Sequence, residues 1–203
     1  MAAAPRRTHR SQPGARLTGG EAAGRRLGTE AAPDLRPTTA LVRAACFNIL
    51  GPQVGGSRVA DLFAGTGSLG LEALSRGAAG ATFVEVRRSR ADLIRMNLER
   101  LGYRERAEVV LGDVLAWLDR RSGDLVQTDL ILLDPPYSGS GPDLGLAALA
   151  RMGATARAHS EWTPTVVLGH HRSLSLPERA GALNCVRSAR YGSSALAFFR
   201  RSP

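Results

Sequence analysis

The chain contains no lysine, and its 27 basic residues are all arginine. It has only two cysteines, Cys46 and Cys185, whose distant positions match no metal-binding or redox spacing. This pattern excludes a disulfide framework and is typical of a protein in a reducing cytoplasm. No apolar run approaches the roughly 18 residues that a membrane-spanning helix needs. We therefore expect a cytoplasmic protein that contacts no membrane.

Acidic residues are scarce relative to arginine, so the chain of 203 residues carries a formal net charge of +9. Such an excess of positive charge favours a polyanionic partner, and nucleic acid is the leading candidate. Residues 1–50 hold eight arginines against three acids. We predict that Arg25 and Arg26, in this part of the chain, contact the polyanion. Residues 1–15 contain neither an acid nor apolar periodicity, which predicts a disordered basic tail.

Apolar runs of strand length alternate with segments of helical periodicity from Arg58 onward. The predicted strands are 58–63, 81–86, 107–113, 128–134, 163–170, 182–191 and 193–201. The predicted helices are 39–50, 68–76, 88–101, 114–121 and 144–157. This alternation indicates βαβ units and a mostly parallel, seven-stranded sheet. The last two strands have no helix between them, so they must pair as a hairpin and the last strand is antiparallel. We predict one α/β domain over 16–203, whose first part, 16–52, is a basic extension.

A glycine-rich loop follows the first predicted strand. Gly65, Gly67 and Gly70 stand in a GxGxxG arrangement between that strand and a helix. Glycines at this spacing allow a tight turn and bring a ligand close to the backbone at a helix N-terminus. Glu85 ends the next strand, where a carboxylate can bind two ribose hydroxyls. The loop therefore predicts a cofactor that contains a nucleoside, bound by Asp61, Phe63, Ala64, Gly65, Thr66, Gly67 and Glu85.

Two acids favour S-adenosylmethionine over a dinucleotide. Asp61 lies beside the loop, where it would repel a pyrophosphate but could accept a hydrogen bond from the ammonium group of a methionine moiety. Asp113 ends the third predicted strand, where it could accept from the adenine amino group. Asp113 could equally cap the helix that follows it. S-adenosylmethionine is the predicted cofactor, in a Rossmann-like fold of the class I methyltransferase type.

The fourth predicted strand ends in Asp134-Pro135-Pro136-Tyr137. Ligands of open α/β sheets bind at the carboxyl ends of the strands, so this motif is predicted to share one cleft with the cofactor. The exocyclic amine of a nucleobase is a poor nucleophile because its lone pair is delocalised into the ring. Asp134 and the carbonyl of Pro135 could accept its two hydrogens, and Pro136 would keep that carbonyl rigid. Tyr137 could stack on a flipped-out base. These four residues are the predicted catalytic motif.

Six stretches of the sequence, taken together, carry a family resemblance. They are GGEAAGRRL, LRPTTALVRAACFNIL, VADLFAGTGSLGLEALSRGA, FVE, LLDPPY and RYGSSALAFF. In combination they resemble the RsmD-type 16S rRNA guanine-N2 methyltransferases of bacteria, from about Arg16 to Arg200. The resemblance implies methyl transfer from S-adenosylmethionine to the N2 amine of a guanine in 16S rRNA. It implies the small ribosomal subunit or an assembly intermediate as partner, and we expect a monomer that needs no metal.

The resemblance also assigns residues of the RPTT segment. It implies that Arg36, Thr38 and Arg43 contact the substrate or RNA and that Thr39 helps to frame the cofactor. Thr39 could also be only a helix cap, and Arg43 only a solvated charge. The chain departs from the family at Leu41, Ala44 and Cys46, and near the fifth strand it has Gly169-His170-His171 where an acid is expected. The two histidines are predicted to be surface or strand-end residues.

Three other functions remain open from the sequence. A DNA adenine-N6 methyltransferase uses the same motif, but usually has a long target-recognition segment, and none is visible. A protein glutamine methyltransferase usually has NPPY and a helical N-terminal domain. A non-catalytic RNA-binding assembly factor could keep the fold, but acids stand at all four strand ends here.

Overall fold

The computed structural model describes residues 15–28, 39–137 and 139–201. Its helices are α1 (Ala40–Leu50), α2 (Ser68–Ser75), α3 (Arg88–Leu101), α4 (Val114–Leu125) and α5 (Gly141–Ala158). Its strands are β1 (Arg58–Leu62), β2 (Gly80–Glu85), β3 (Ala107–Leu111), β4 (Leu130–Leu133), β5 (Thr165–His171), β6 (Arg179–Ala180), β7 (Leu183–Tyr191) and β8 (Ser194–Arg201). Except for Ala15, the predicted disordered tail lies outside the described residues. None of the helices in these ranges is long and apolar enough to cross a membrane.

The strands form one sheet in the order β3-β2-β1-β4-β5-β8-β7-β6. The first five of these are parallel to one another, and β8 pairs antiparallel with β5. The predicted α/β fold, with its mostly parallel sheet and antiparallel last strand, is confirmed. The prediction of seven strands was wrong by one, because β6 pairs antiparallel with β7. Its two residues are too few to show any periodicity in the sequence.

Helices cover both faces of the sheet. One apolar cluster joins the sheet to α1, α2 and α3, and includes Phe47, Leu71, Phe83 and Ile94. The other joins it to α4 and α5, and includes Trp117, Leu149 and other residues of those helices. Both faces are buried, which explains the continuous apolar runs of the central strands. The sequence therefore forms a three-layer α/β sandwich.

The predicted basic extension is packed against the domain in its first part. Residues 15–28, named here the N-terminal segment, form a turn closed by an antiparallel bridge between Arg16 and Arg26. Leu17, Ala22 and Leu27 of this segment are only 2–3% exposed and belong to the cluster under α1–α3. Burial of these apolar side chains fixes the segment on α2 and α3.

The helix boundaries follow local signals. Thr39 caps α1, since its hydroxyl oxygen accepts a hydrogen bond from the N–H of Val42. α3 ends where predicted, at Gly102, whose φ of 78° suits a glycine C-cap. α4 continues to Leu125, beyond the predicted end at Arg121. Arg121 has non-helical dihedral angles, so the helix bends there and resumes.

Candidate active site

The four acids predicted to converge do lie at one edge of the sheet. Asp61 is the fourth residue of β1, Glu85 is the last of β2, and Asp134 directly follows β4. Asp113 comes two residues after β3. Because β1–β4 are parallel, their carboxyl ends meet at this edge. The edge between the glycine loop and the loop after β4 is the candidate active site.

The glycine loop, residues 63–67, has a conformation that few residue types adopt. Gly65 and Gly67 have φ angles of 56° and 76°, in the left-handed region that favours glycine. Phe63 also has a positive φ, 65°, which is strained for an aromatic residue. Strain of this kind is concentrated at ligand-binding sites. A Cβ atom at Gly70 would lie 2.7 Å from Cζ of Phe83, so this glycine is what allows α2 to pack on β2.

Asp61 and Glu85 brace the loop through its backbone. Asp61 Oδ2 accepts a hydrogen bond from the N–H of Gly70 at 2.8 Å. Glu85 accepts from the N–H groups of Gly65 and Arg87, each at 2.8 Å. Both carboxyl groups are almost fully buried, at 1% and 4% exposed. Their predicted contacts with methionine and ribose stay predictions, and the bracing role is an addition that only the structure reveals.

The environment of Asp61 disfavours its charged form. Burial raises the pKa of Asp61 well above its usual value, and the negative charges of Asp134 and Glu85 raise it further. The Gly70 N–H acts in the opposite direction, because it stabilises the carboxylate. A nearby cation would lower this pKa, so Asp61 is suited to a positively charged ligand group.

Asp113 has the position of a helix cap. Its Oδ1 accepts from the N–H of Ala116 at 2.8 Å, and the side chain lies at the N-terminus of α4. The residue is exposed. The alternative that Asp113 caps α4 is thus confirmed. The predicted contact between the other lone pairs of its carboxylate and the adenine amine stays a prediction.

The two prolines of the motif are held between β4 and α5. A Cβ atom at Gly145 would lie 2.7 Å from Cγ of Pro135, and one at Gly141 would lie 2.6 Å from the carbonyl carbon of Pro136. These two glycines therefore let the start of α5 approach the prolines closely. Close packing of this kind restricts the Pro135 carbonyl to one orientation.

Tyr137 and Asp134 both lie near Gly169 of β5: a Cβ atom there would lie 2.6 Å from Oδ1 of Asp134 and 3.5 Å from the hydroxyl oxygen of Tyr137. Burial raises the pKa of Tyr137 to about 12, the negative charge of Asp134 raises it as well, and a hydrogen bond with Ser194 opposes the shift. Burial raises the pKa of the Cys46 thiol in α1 to about 12, and the negative charge of Asp134 raises it as well. Both the phenol and the thiol are therefore neutral at pH 7.

The arginines predicted to contact RNA are dispersed. Arg25 and Arg26 are exposed on the N-terminal segment, and the Arg25 guanidinium donates to the carbonyl of Arg100, at the end of α3. α3 runs antiparallel to the strands it connects, so this contact lies at the edge of the sheet opposite the candidate site. Arg36 and Thr38 lie outside the described residues.

Arg43 does not have the predicted position on the RNA surface. It is 0% exposed, and its Nε forms an ion pair with Oε2 of Glu72 at 3.1 Å. Its guanidinium also donates to the carbonyl of Arg16. A fully buried guanidinium cannot contact RNA from this position, so Arg43 joins α1, α2 and the N-terminal segment instead. Its partner Glu72 is 29 positions away, and no local sequence signal links the two.

A small cavity lies beside the catalytic motif on the face covered by α5. It has an empty volume of about 210 Å³ and is lined by Pro135, Tyr137, His170 and neighbouring residues. His170 is only 6% exposed, which makes it a buried strand-end residue rather than a surface residue. Its Nδ1 donates to the carbonyl of His171, and burial lowers its pKa. The imidazole is therefore neutral and fills the end of β5.

Comparisons with known proteins show the family to which this chain belongs. A family model described as "Conserved hypothetical protein 95" matches residues 15–200. "Putative rRNA methyltransferase YlbH" of Bacillus subtilis (strain 168) is 33% identical over 186 residues, which cover 92% of this chain and 98% of that protein. "Ribosomal RNA small subunit methyltransferase D" of Escherichia coli (strain K12) is 39% identical over 122 residues, 60% of each chain.

Solved structures show the same architecture. "Putative methyltransferase yhhF from Escherichia coli" has a TM-score of 0.70 and 28% identity, covering 93% of this chain and 98% of that one. A hypothetical protein of Thermus thermophilus has a TM-score of 0.70 and 29% identity, covering 91% and 98%. The family match spans nearly the whole chain and includes the glycine loop and the catalytic motif. The chain belongs to the family described as conserved hypothetical protein 95, and its relatives include ribosomal RNA methyltransferases.

Proposed function

We propose that this chain transfers a methyl group from S-adenosylmethionine to the exocyclic N2 of a guanine in 16S rRNA of the small ribosomal subunit. The observation that carries the proposal is the Asp134–Tyr137 motif, which stands at the same sheet edge as the glycine loop. The family membership and the rRNA methyltransferases among its relatives support it.

The cofactor side of the cleft has the groups that S-adenosylmethionine requires. Buried Asp61 suits the ammonium of the methionine moiety, since a cation nearby offsets the cost of its buried charge. The strained loop at Phe63 and the positive φ of Gly65 bring backbone close to the ligand. Glu85 and Asp113 keep free lone pairs for ribose hydroxyls and for the adenine amine. When bound, the cofactor supplies an activated methyl group on a sulfonium ion.

The residues of the motif position the other reactant. Asp134 and the Pro135 carbonyl accept the two hydrogens of the guanine amine, which localises its lone pair on nitrogen. With the cofactor bound, the lone pair would form the new N–C bond as the methyl–sulfur bond breaks, and the electrons of that bond would stay on sulfur. The amine then loses one proton, for which the Asp134 carboxylate is the nearest acceptor. Since the donor is already activated, positioning supplies most of the rate enhancement.

A basic surface beside the cleft supports an RNA substrate. From Thr163 to Pro203 the sequence has six arginines and one acid. Arg172 and Arg190 lie near the turn between β7 and β8, and the N–H of Arg172 donates to the carbonyl of Ser193 in that turn. This turn lies at the active-site edge, because Ser194 pairs with His171 at the end of β5. We name Arg172 and Arg190 the basic rim, and expect it to bind phosphates that flank the target base.

The test is a methyl-transfer assay with radiolabelled S-adenosylmethionine. Unmodified small subunits, free 16S rRNA and duplex DNA are offered in parallel, and labelled nucleosides are identified after digestion. N2-methylguanosine from rRNA or subunits is expected, and the Asp134→Ala variant should lose it. Asp119→Asn, which changes an exposed acid on α4, is the matched control and should keep it.

Each other product would overturn the proposal in favour of a specific rival. N6-methyladenine in DNA would identify a DNA methyltransferase. Label in protein would indicate a glutamine methyltransferase. RNA binding that survives in Asp134→Ala, with no label in any substrate, would identify a non-catalytic assembly factor.

A further inference from the structure

The outer side of β7 has no neighbouring strand along most of its length. β6 pairs with only two residues, at the start of β7. The next contact on this side is a single hydrogen bond, from the N–H of Cys185 to the carbonyl of Glu178. Along residues 186–190, no strand in the described part of the chain pairs with this side of β7. This stretch, named here the free edge, therefore presents backbone groups to the surroundings.

The register of β5, β8 and β7 decides which backbone groups face outward. The N–H of Arg172 donates to the carbonyl of Ser193. In an antiparallel ladder this makes the adjacent pair, His171 and Ser194, one that exchanges no hydrogen bonds. The N–H and C=O of Ser194 therefore face β7, where its partner is Tyr191. Tyr191 in turn directs its own N–H and C=O into the sheet.

Two residues of the free edge direct their N–H groups away from the sheet. Backbone direction alternates along a strand, so Arg190 and Ser188 have the opposite direction from Tyr191. Both residues are exposed. Neither N–H has a hydrogen-bond partner among the described residues. The free edge thus offers two backbone donors about 7 Å apart.

The surface around these donors is positively charged. Residues 182–201 include four arginines and no acid. Two of them, Arg187 and Arg190, lie on the free edge and are exposed. They stand three residues apart in one strand, so their side chains leave on opposite faces of the sheet. Arg190 is also part of the basic rim, so positive charge continues from the active-site edge along β7.

These features fit a polyanion better than a second copy of this chain. Two copies joined at their free edges would bring Arg187 and Arg190 of each copy together, and like charges across a strand pair are destabilising. Phosphate oxygens accept hydrogen bonds both from arginine and from backbone N–H groups. Under the proposed function the polyanion at this side of the cleft is RNA.

We propose that the RNA strand beside the target base runs along the free edge of β7. Its phosphates accept hydrogen bonds from the outward N–H groups of Ser188 and Arg190, and Arg187 neutralises a further phosphate. The inference rests on the proposed function, because it takes RNA as the substrate. It extends the RNA contact from the basic rim to the outermost long strand of the sheet.

The first experiment removes one outward N–H. Proline has no N–H, and an edge strand tolerates it where the N–H faces away from the sheet. We expect Ser188→Pro to keep its affinity for S-adenosylmethionine in calorimetry. Its binding to free 16S rRNA in a filter assay should weaken by roughly tenfold, the effect of one lost hydrogen bond to a charged group. Ser188→Ala keeps the N–H, is the matched control and should bind like the wild type. Equal RNA affinities of the two variants would overturn the proposal.

Hydrogen exchange tests the same donors without any substitution. In the free wild-type protein the N–H groups of Ser188 and Arg190 should exchange quickly, because nothing in the sheet protects them. Free 16S rRNA should slow both by roughly tenfold in exchange followed by mass spectrometry with residue-level fragmentation. Unchanged exchange at both positions under conditions where the wild type binds the RNA would contradict the proposal. Protection by small subunits but not by free 16S rRNA would also contradict it, and would indicate a protein partner.

Arg187 separates RNA binding from a purely protective role. Exposed charges on an edge strand also keep copies of a protein from pairing. We expect Arg187→Gln to reduce the slope of log affinity against log salt by roughly 0.7. Arg120→Gln, which removes the same charge from an exposed position on α4, should leave the slope unchanged. Self-association of Arg187→Gln in sedimentation, with an unchanged slope, would show a protective role only and refute the contact.

Failure of this inference and failure of the proposed function give different results. N2-methylguanosine formed by the wild type, with RNA binding unaffected by Ser188→Pro and by Arg187→Gln, would refute the free-edge contact and leave the reaction standing. RNA binding that both changes weaken, without any N2-methylguanosine, would refute the reaction and support the contact.

Discussion

The buried carboxylate of Glu72 should be essential for stability, although it lies away from the catalytic motif. Glu72 is in α2 and is 0% exposed. Its oxygens accept from the N–H of Thr18 at 2.8 Å, the Thr18 hydroxyl at 2.7 Å, Arg76 at 2.8 Å and Arg43 at 3.1 Å. One carboxylate therefore joins α2 to α1 and to the N-terminal segment.

The expected loss in free energy of unfolding for a Glu72→Gln variant follows from the buried ion pair that this change removes. Glu72→Gln keeps the shape of the side chain, but removes the carboxylate that lies 3.1 Å from Nε of the buried Arg43 guanidinium. The amide NH2 of the glutamine would face other donors. Removing one partner of a buried ion pair costs about 3–5 kcal/mol. Burial already lowers the pKa of Arg43, which shows that desolvation is significant there. Domains are stable by about 5–15 kcal/mol, so the variant should lose roughly a fifth or more of its stability.

The assay is urea unfolding at pH 7, followed by the fluorescence of Trp117 and Trp162, both of which are buried. Asp119→Asn breaks an exposed ion pair with Arg151 and is the control, because exposed pairs of this kind contribute little to stability. A Glu72→Gln protein whose free energy of unfolding lies within about 1 kcal/mol of the wild type would refute the reasoning, because the loss of a buried ion-pair partner should cost more than this.

Three further outcomes are expected. Gly70→Ala should lower the free energy of unfolding by about 1–3 kcal/mol, because its Cβ would overlap the ring of Phe83. The same change should weaken S-adenosylmethionine binding in calorimetry, and an unchanged affinity would contradict the assignment of this loop to the cofactor. Changing Arg172 and Arg190 to glutamine should weaken RNA binding and reduce the slope of log affinity against log salt by roughly 0.7 per lost phosphate contact. An unchanged slope in a filter-binding assay would show that the basic rim does not contact the RNA. Asp113→Ala should cost about 1 kcal/mol in urea unfolding through the lost α4 cap, and a cost near zero would show that the cap is not formed in solution.

The sequence was sufficient for the parts of the site that depend on local patterns. Gly65, Gly67 and Gly70 lie at a strand–helix junction as predicted, because the tight turn and the close packing there demand glycine. The proximity of the acids at the strand ends, such as Asp134, could be predicted because parallel strands place their carboxyl ends at one edge of the sheet. Both arguments need only a few consecutive residues and the rule for parallel sheets.

Contacts between distant residues could not be predicted in this way. Arg43 was assigned to RNA, but a charge on an amphipathic helix has no local mark that separates a solvated face from a buried ion pair with Glu72. The N-terminal segment was read as a basic extension by its composition, while three apolar residues within it, among them Leu17, decide its packing. The closeness of Gly169 to Asp134 depends on the register between β4 and β5, which the sequence does not show.

The surroundings of the four acids divide the site into a fixed part and a movable part. Asp61, Glu85 and Asp113 each accept a backbone N–H, at Gly70, at Gly65 and Arg87, and at Ala116. Backbone donors cannot move away without unfolding a loop or a helix end, so the cofactor side is preorganised. Asp134 lies instead near the side chain of Tyr137, which can move by rotation of its ring. Under the proposed function the site holds a small cofactor and then admits a bulky nucleic acid. This difference suits that order, because Asp134, the acid with the movable neighbour, is the one expected to bind the incoming amine.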